Sequence, residues 1–226
     1  MIVEREIIIF NTLNLMEETN NIMIGKIWVP TEKVGLLYTL LPSFVSLREA
    51  ETTLKPPTHF EMNEFTTYFQ EIVNTYGVPR YQEVNPALYA IAIFPFLFGV
   101  MFGDIGHGGV LLGFAIWLTN SAKAKKIVPE VYPLRYLFLL MGIFSFYSGW
   151  IYNEFFSIPL NVFGTCYGHA GHEEYAPKEE GCVYPFGFDP KWIRASNELN
   201  YFNSYKMKFA VIIGVFQMSF GTFFII

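Results

Sequence analysis

The run from Pro86 to Thr119, PALYAIAIFPFLFGVMFGDIGHGGVLLGFAIWLT, sets the terms for the rest of the chain. Almost every residue in it is apolar, yet Asp104 and His107 stand near its middle among Gly103, Gly106, Gly108 and Gly109. As one continuous helix the run would measure about 50 Å, at a rise of ~1.5 Å per residue. The hydrocarbon core of a bilayer is only ~30 Å thick. Two helices folded back at the glycines would each be about 25 Å, close to a full crossing with modest thinning of the bilayer. The fold-back also carries Asp104 and His107 into the headgroup region. There they avoid the roughly 2.5–3.5 kcal/mol that a charged carboxylate costs at the centre of a span. The sequence therefore predicts a membrane hairpin whose turn is GDIGHG.

Composition agrees with a bilayer protein. Of 226 residues 52% are hydrophobic and 15% charged, against about 25% charged in an ordinary soluble domain. The 24 Phe and 14 Tyr suit interfacial aromatic belts. A net charge of −5, with no basic stripe interleaved with aromatics, gives no case for a nucleic-acid partner. Two cysteines are too few for a disulfide scaffold. Met1 to Asn21 carries acids and lacks an apolar core with a small-residue cleavage site, so it does not read as a signal peptide. The chain opens within an amphipathic helical pattern and stops at Ile226 inside an apolar run. It is expected to be a fragment or a truncated gene product, the alternative being a complete small membrane protein.

Taken in order, residues 1–58 read as a small α+β remnant of a cytoplasmic domain. A helix is expected over Glu4–Glu18, a strand over Ile22–Val29, and a helix capped by Thr31 that runs to Leu41. Residues 59–85 form an amphipathic helix and linker. Thr58-His59-Phe60-Glu61 fits a capping box, and Phe65, Phe69, Ile72, Val73 and Tyr76 share one face. That helix is expected either to lie in the membrane interface or to pack on the soluble part. Residues 86–226 form the transmembrane region, with spans at about 86–103, 106–119, 134–157 and 207–226. Lys123, Lys125, Lys126 and Arg135 against Glu130 place the 120–133 loop in the cytosol, and residues 1–85 with it. The acid-rich 158–206 loop falls in the lumen. Gly142, Ser145 and Gly149, and also Gly109 and Gly113, form small-residue stripes for close helix contact. The fold class expected is an all-α polytopic membrane protein with about four transmembrane helices, the first two a hairpin.

Three groups carry candidate chemistry. Asp104 and His107 could relay protons near a membrane face, or could cap helix ends in the turn, the commoner use of Asp beside Gly. Glu154, beside Asn153, is open to the same two readings and also to that of a solvated interfacial acid. Cys166 and Cys182 could form one disulfide in an oxidising lumen, could stay unpaired, or could join His169 and His172 at a zinc ion. The spacing fits no common zinc module, and no metal or cofactor is expected. No phosphate-binding loop, activated nucleophile or HExxH occurs, so no ATPase or hydrolase site is expected here.

The run PPTHFEMNEFTTYFQEIVNTYGVPRYQEVNPALYAIAIFPFLFGVMFGDIGHG closely resembles the start of the membrane domain in the large a subunit of the vacuolar-type proton-pumping ATPase family. YLFLLMGIFSFYSGWIYNEFFS is similar to that family's third span, NSYKMKFAVIIGVFQMSFG to the start of its fourth, and TLNLMEETNNIMIGKIWVP to the end of its cytoplasmic domain. The resemblance implies a non-catalytic stator beside a rotating ring of proteolipid c subunits. Other membrane-sector and peripheral stalk subunits would be its further partners, in the bilayer of the vacuole or another acidic organelle. ATP hydrolysis by separate subunits would drive the ring, and an essential arginine between two half-channels would release the protons. Family members are several times longer, and their essential arginine lies in later spans. Arg135, at a loop boundary, is not a candidate for it. The role implied is the front part of the stator's membrane domain, with Asp104, His107 and Glu154 facing the lumen in a structural turn or beside the proton path. The alternative is a truncated, stand-alone four-span scaffold without pumping activity.

Overall fold

The computed structural model describes residues 2–170, 173–177, 181–194 and 198–225. The chain divides into two compact units, Met1–Phe60 with Arg80–Gln82, and Glu61–Pro79 with Glu83–Ile226.

In the first unit, helix α1 (Ile2–Leu13) is followed by strands β1 (Glu17–Thr19) and β2 (Ile22–Ile24) and, after a 3-10 turn at Thr31–Lys33, by α2 (Val34–Leu40). The strands pair antiparallel with Glu17 opposite Ile24 and Thr19 opposite Ile22. Asn20 and Asn21 between them hold φ of 50° and 61°. Asn tolerates this left-handed region, and two positive φ angles match the twist of a two-residue hairpin. The hairpin takes residues that the helical and strand patterns had claimed, so α1 ends at Leu13 rather than Glu18 and β2 at Ile24 rather than Val29.

The second unit is built on α7 (Arg135–Tyr152), with α4 (Ala87–Met101) and α5 (Ile105–Asn120) packed chiefly against it and the short α6 (Ala124–Ile127) between α5 and α7 in sequence. Small residues set how closely they pack. Gly99 lies on the Phe144 backbone, and Gly103 lies on Ser148 and Tyr152, so α4 runs with α7. Gly108 meets Ser145 and Phe146, Gly142 meets Leu112, and Gly149 meets Asp104 and Ile105, so α5 runs against it. A Cβ on Gly108 would stand 2.6 Å from the Phe146 amide nitrogen, where no side chain fits. The expected stripe on α7 is therefore the contact surface. On α5 the contact passes through Gly108 instead, because Gly113 has nothing within 4 Å of a would-be Cβ and Gly109 only the Phe146 ring.

The expectation of about four transmembrane helices is corrected. Among the described residues one helix, Tyr132–Tyr152, is long and apolar enough to cross a membrane. Helices α4 and α5 have 15 and 16 residues. At ~1.5 Å per residue they measure about 23 and 24 Å, short of the ~30 Å hydrocarbon core. The break at Phe102–Asp104 and the end of α5 at Asn120 consume the length that hydropathy had assigned to spans. The long helix itself ends at Asn153, not Ser157. Helix α8 (Glu198–Ile225) starts ahead of the expected 207 and brings Lys206 and Lys208 into its body. The unit is mostly α, with small two-stranded sheets: β3 (Glu154–Phe155) pairs with β4 (Ile158–Pro159), and β5 (Tyr167–Ala170) with β6 (Glu173–Pro177).

Helix α3 (Thr67–Tyr76) begins well past the capping-box motif at Thr58 and packs on α4. Phe69 is 1% exposed, and the Phe65 ring meets Tyr136 of α7 edge-on at 5.4 Å. Asn85 donates to Gln70 Oε1 at 2.7 Å and accepts from the Ala87 amide at 3.0 Å, joining α3 to the start of α4. Arg135, buried between the rings of Tyr132 and Tyr136, donates to Glu64 at 2.5 Å.

Candidate functional site

Asp104, His107 and Glu154 come together at the end of α7 where Asn153 terminates it. Asp104 is the N-cap of α5, in extended backbone with φ of −152°, which turns its side chain back over the first helical turn. Its Oδ1 accepts from the Gly106 amide at 2.6 Å and from the Phe156 amide at 3.0 Å. Its Oδ2 lies 2.5 Å from His107 Nδ1. One carboxylate thus ties the α4–α5 turn, the first turn of α5 and the β3–β4 turn. Burial pushes the Asp104 carboxyl up, but the bonds from His107, Phe156 and Gly106 outweigh it and hold the group below the usual carboxylate range.

Asp104 is buried and the His107 side chain is 53% exposed, so the pair has an inner acid and an outer base. The imidazole stands edge-on to Phe156 at 4.9 Å and to Phe102 at 6.1 Å. Bonding through Nδ1 leaves the outer Nε2 as the basic atom of the neutral ring. Glu154 is partly exposed in β3, and its negative charge acts on Lys206 of α8. The Lys206 ammonium lies 4.7 Å from the centroid of the Tyr152 ring, whose hydroxyl donates to the Val100 carbonyl at 2.7 Å.

Asn153 stops α7 in the left-handed region, at φ 52° and ψ 39°, and is 1% exposed. Its Nδ2 donates to the carbonyls of Phe188 at 2.6 Å and Phe186 at 3.3 Å, and its own carbonyl accepts from Leu160 N at 2.8 Å. The segment after β6 is thereby fastened to the helix end. A second fastening is Asp189, buried, which accepts from Thr165 Oγ1, the Cys166 amide and the Lys191 amide at 2.7–3.0 Å.

The structure joins Cys166 to Cys182 in a disulfide. Both thiols are used in it, so they are not zinc ligands here. His172 lies outside the described residues, and of His169 only the backbone in β5 is described. A crosslink across 16 residues removes about 3 kcal/mol of loop entropy from the unfolded state. Cys182→Ser, or reduction of the intact protein, is expected to open this segment to protease by roughly two orders of magnitude, the equivalent of about 3 kcal/mol. Cleavage between Pro159 and Arg194, followed by mass spectrometry in native membranes, measures it; an unchanged rate would mean that Asn153 and Asp189 suffice.

Sequence reasoning names Asn153 only as the neighbour of Glu154, and misses Asp189 and Lys206 as parts of this end. The run Asp189-Pro190-Lys191 does hold a local signal, an acid before a proline-started turn. Lys206 had none, since what makes it part of the site is its approach to Tyr152.

A helix long and apolar enough to cross a membrane, packed with two shorter apolar helices and closed at one end by an acid-capped turn, is the helical core of the second unit. Residues 1–226 match the V-type ATPase 116kDa subunit family, and the chain belongs to that family. It is 43% identical, over 96% of its length, to the vacuolar proton translocating ATPase 100 kDa subunit of Dictyostelium discoideum, of which it covers 29%. It is 38% identical over 97% of its length to V-type proton ATPase subunit a1 of Arabidopsis thaliana, covering 30% of that protein. To V-type proton ATPase 116 kDa subunit a 1 of Mus musculus it is 37% identical over 94%, again covering 30%. The chain thus spans under a third of the length of the curated relatives it matches.

Proposed function

We propose that this chain is a section of the a-type stator subunit of a V-type proton ATPase, non-catalytic in itself and supporting ATP-driven proton transport. The observation that carries the reading is the unbroken family match over residues 1–226, next to named V-type proton ATPase subunits. In this reading the chain frames the helices that face a proteolipid c-ring and leaves the proton exchange to later parts of the subunit. Residues 1–58 are the end of the cytoplasmic domain, which meets peripheral stalk subunits, and residues 59–85 link them to the membrane part. Lys123, Lys125, Lys126 and Arg135 ahead of the crossing helix hold that end in the cytosol. The other end, with Asp104, His107 and Glu154, then faces the lumen of an acidic organelle.

The role of the Asp104–His107 pair is to lock the turn. The hydrogen bonds of the Asp104 carboxylate to Gly106 and Phe156 join one backbone element to another, and its contact with His107 orients the imidazole, as a structural acid requires. The test uses the full-length subunit, tagged in its own gene and purified from membranes in mild detergent. Proteolipid ring subunits are expected to co-purify. His107→Gln, whose amide can still donate to Asp104, is expected to keep at least half of the ATP-driven acidification of sealed vesicles. A stable subunit that never brings down the ring would favour a free-standing scaffold. A His107→Gln complex that assembles fully but does not pump would move the pair from structure to the proton path.

A further inference from the structure

Lys123, Lys125 and Lys126 sit on the loop that joins α5 to α7, and the packing of those helices fixes where they are. Because α5 runs against α7, Asn120 and Tyr132 lie at the same end of the pair. Tyr132 also opens the helix long enough to cross a membrane, so the loop between them stays close to that helix's end. The loop is folded rather than extended. Ala124 of α6 is fully buried and α6 packs on α5. The amides of Ala124, Ile127, Val128 and Tyr132 each donate to a carbonyl within the loop at 2.9–3.1 Å.

All three lysines are exposed, and none of their ammonium groups has an ion-pair or hydrogen-bond partner among the described residues. Glu130 is the single acid of the loop. Arg135, the fourth cation at this end, is already engaged between Tyr132 and Tyr136 and with Glu64. Ile127 is 65% exposed, and Trp117 in the last turn of α5 is 40% exposed, so apolar surface stands at the same end as the free cations. We propose that the Ser121–Val131 loop is a binding surface for anionic phospholipid headgroups, with Lys123, Lys125 and Lys126 facing the lipid phosphates and Ile127 set at the acyl boundary. Charge complementarity alone would suit an acidic protein face as well. The exposed Ile127 and Trp117 select the lipid, because the interface of a bilayer offers an apolar phase directly beneath its charges. An ammonium is a point charge without the planar fork of a guanidinium, so the surface selects lipids by net charge rather than by headgroup shape.

The inference rests on the reading that α7 crosses a bilayer, and the test separates the two. The intact complex is placed in vesicles of phosphatidylcholine and phosphatidylserine that carry a photoactivatable analogue of one or the other, and peptide mass spectrometry locates the crosslinks. The phosphatidylserine analogue is expected to label the loop at least roughly fivefold more than the phosphatidylcholine analogue, while both label the apolar helices α4, α5 and α7 alike. Replacing all three lysines with Gln should remove the preference, and replacing them with Arg should keep it. Excess inorganic phosphate should leave it in place; competition by phosphate would make this a site for the free anion and overturn the proposal. Equal labelling of the loop by both lipids, with the apolar helices labelled, would sink this inference alone. No lipid on any apolar helix would sink the membrane reading with it. Crosslinks from the loop to a neighbouring polypeptide in place of lipid would also overturn it. If the Gln variant does not assemble, salt decides in the unaltered complex, where the preference must fall as ionic strength rises.

Discussion

Replacing Gly149 with valine is expected to remove the subunit from the membrane fraction, the largest effect of any single substitution in the helical core. Gly149 faces the backbone of Asp104 and Ile105, and even one Cβ there would overlap main-chain atoms. Main chain cannot rotate away as a flexible side chain can, so α5 and α7 would have to separate. Overpacking in a core that can adjust costs about 1–3 kcal/mol. Separation here also exposes Ile105 and breaks the cap at Asp104, and the total falls within the 5–15 kcal/mol of a whole domain. Gly149→Ala is expected to be a milder version, with a lowered melting temperature and reduced yield. Gly113→Ala is the control: nothing lies within 4 Å of its would-be Cβ, and replacing a helical glycine with alanine gains about 0.5–1 kcal/mol. Immunoblots of membranes, with thermal melts of the solubilised complex, measure all three. Wild-type levels of Gly149→Val would disprove the α5–α7 contact.

Part of this arrangement was legible in the sequence. Gly142, Ser145 and Gly149 recur at helical spacing, and a face made of small residues admits a neighbouring helix whichever helix that is. The choice of Gly108 over Gly109 and Gly113 on α5 was not legible, because Asp104 fixes where α5 starts and hence which face it turns to α7. Asp104 itself could be read, since Asp two residues before Gly is a local capping pattern. What failed was counting spans by hydropathy. The Pro86–Thr119 run is apolar throughout, but a three-residue break divides it into helices shorter than the bilayer core, and composition does not register the break. Arg135 reads in the sequence as a cation at a loop boundary; its burial between the two tyrosines that flank it, with Glu64 supplied from 71 residues away, is not legible there. Asn153 and Lys206 act through partners tens of residues distant, beyond the reach of any local pattern.

Asp104→Ala is the second large effect expected, and its pH dependence separates it from a packing defect. Loss of an N-cap costs about 0.5–2 kcal/mol. The Phe156 amide, on a partly exposed turn, then also loses its acceptor, and the lost hydrogen bond costs about 1 kcal/mol. Together these give a destabilisation of about 2 kcal/mol. Asp104→Asn keeps Oδ1 as an acceptor for both the Gly106 and Phe156 amides, loses the charge and the Oδ2 acceptor facing His107, and should recover more than half of it. The charge adds a term of its own. The Asp104 carboxyl titrates lower in the folded protein than in the unfolded chain, where it titrates at about 3.9. Its contribution is therefore fully present above that unfolded value and disappears as pH falls through the folded one. At about pH 5 the wild-type turn keeps that contribution intact, because the carboxylate is ionised in both states. Between about pH 4 and pH 2 the wild-type complex should lose stability faster than Asp104→Asn, so their melting temperatures converge in acid. A constant gap between the two curves down to pH 2 would show that the carboxylate is held by shape alone, with no charge-assisted bond to Gly106, Phe156 or His107.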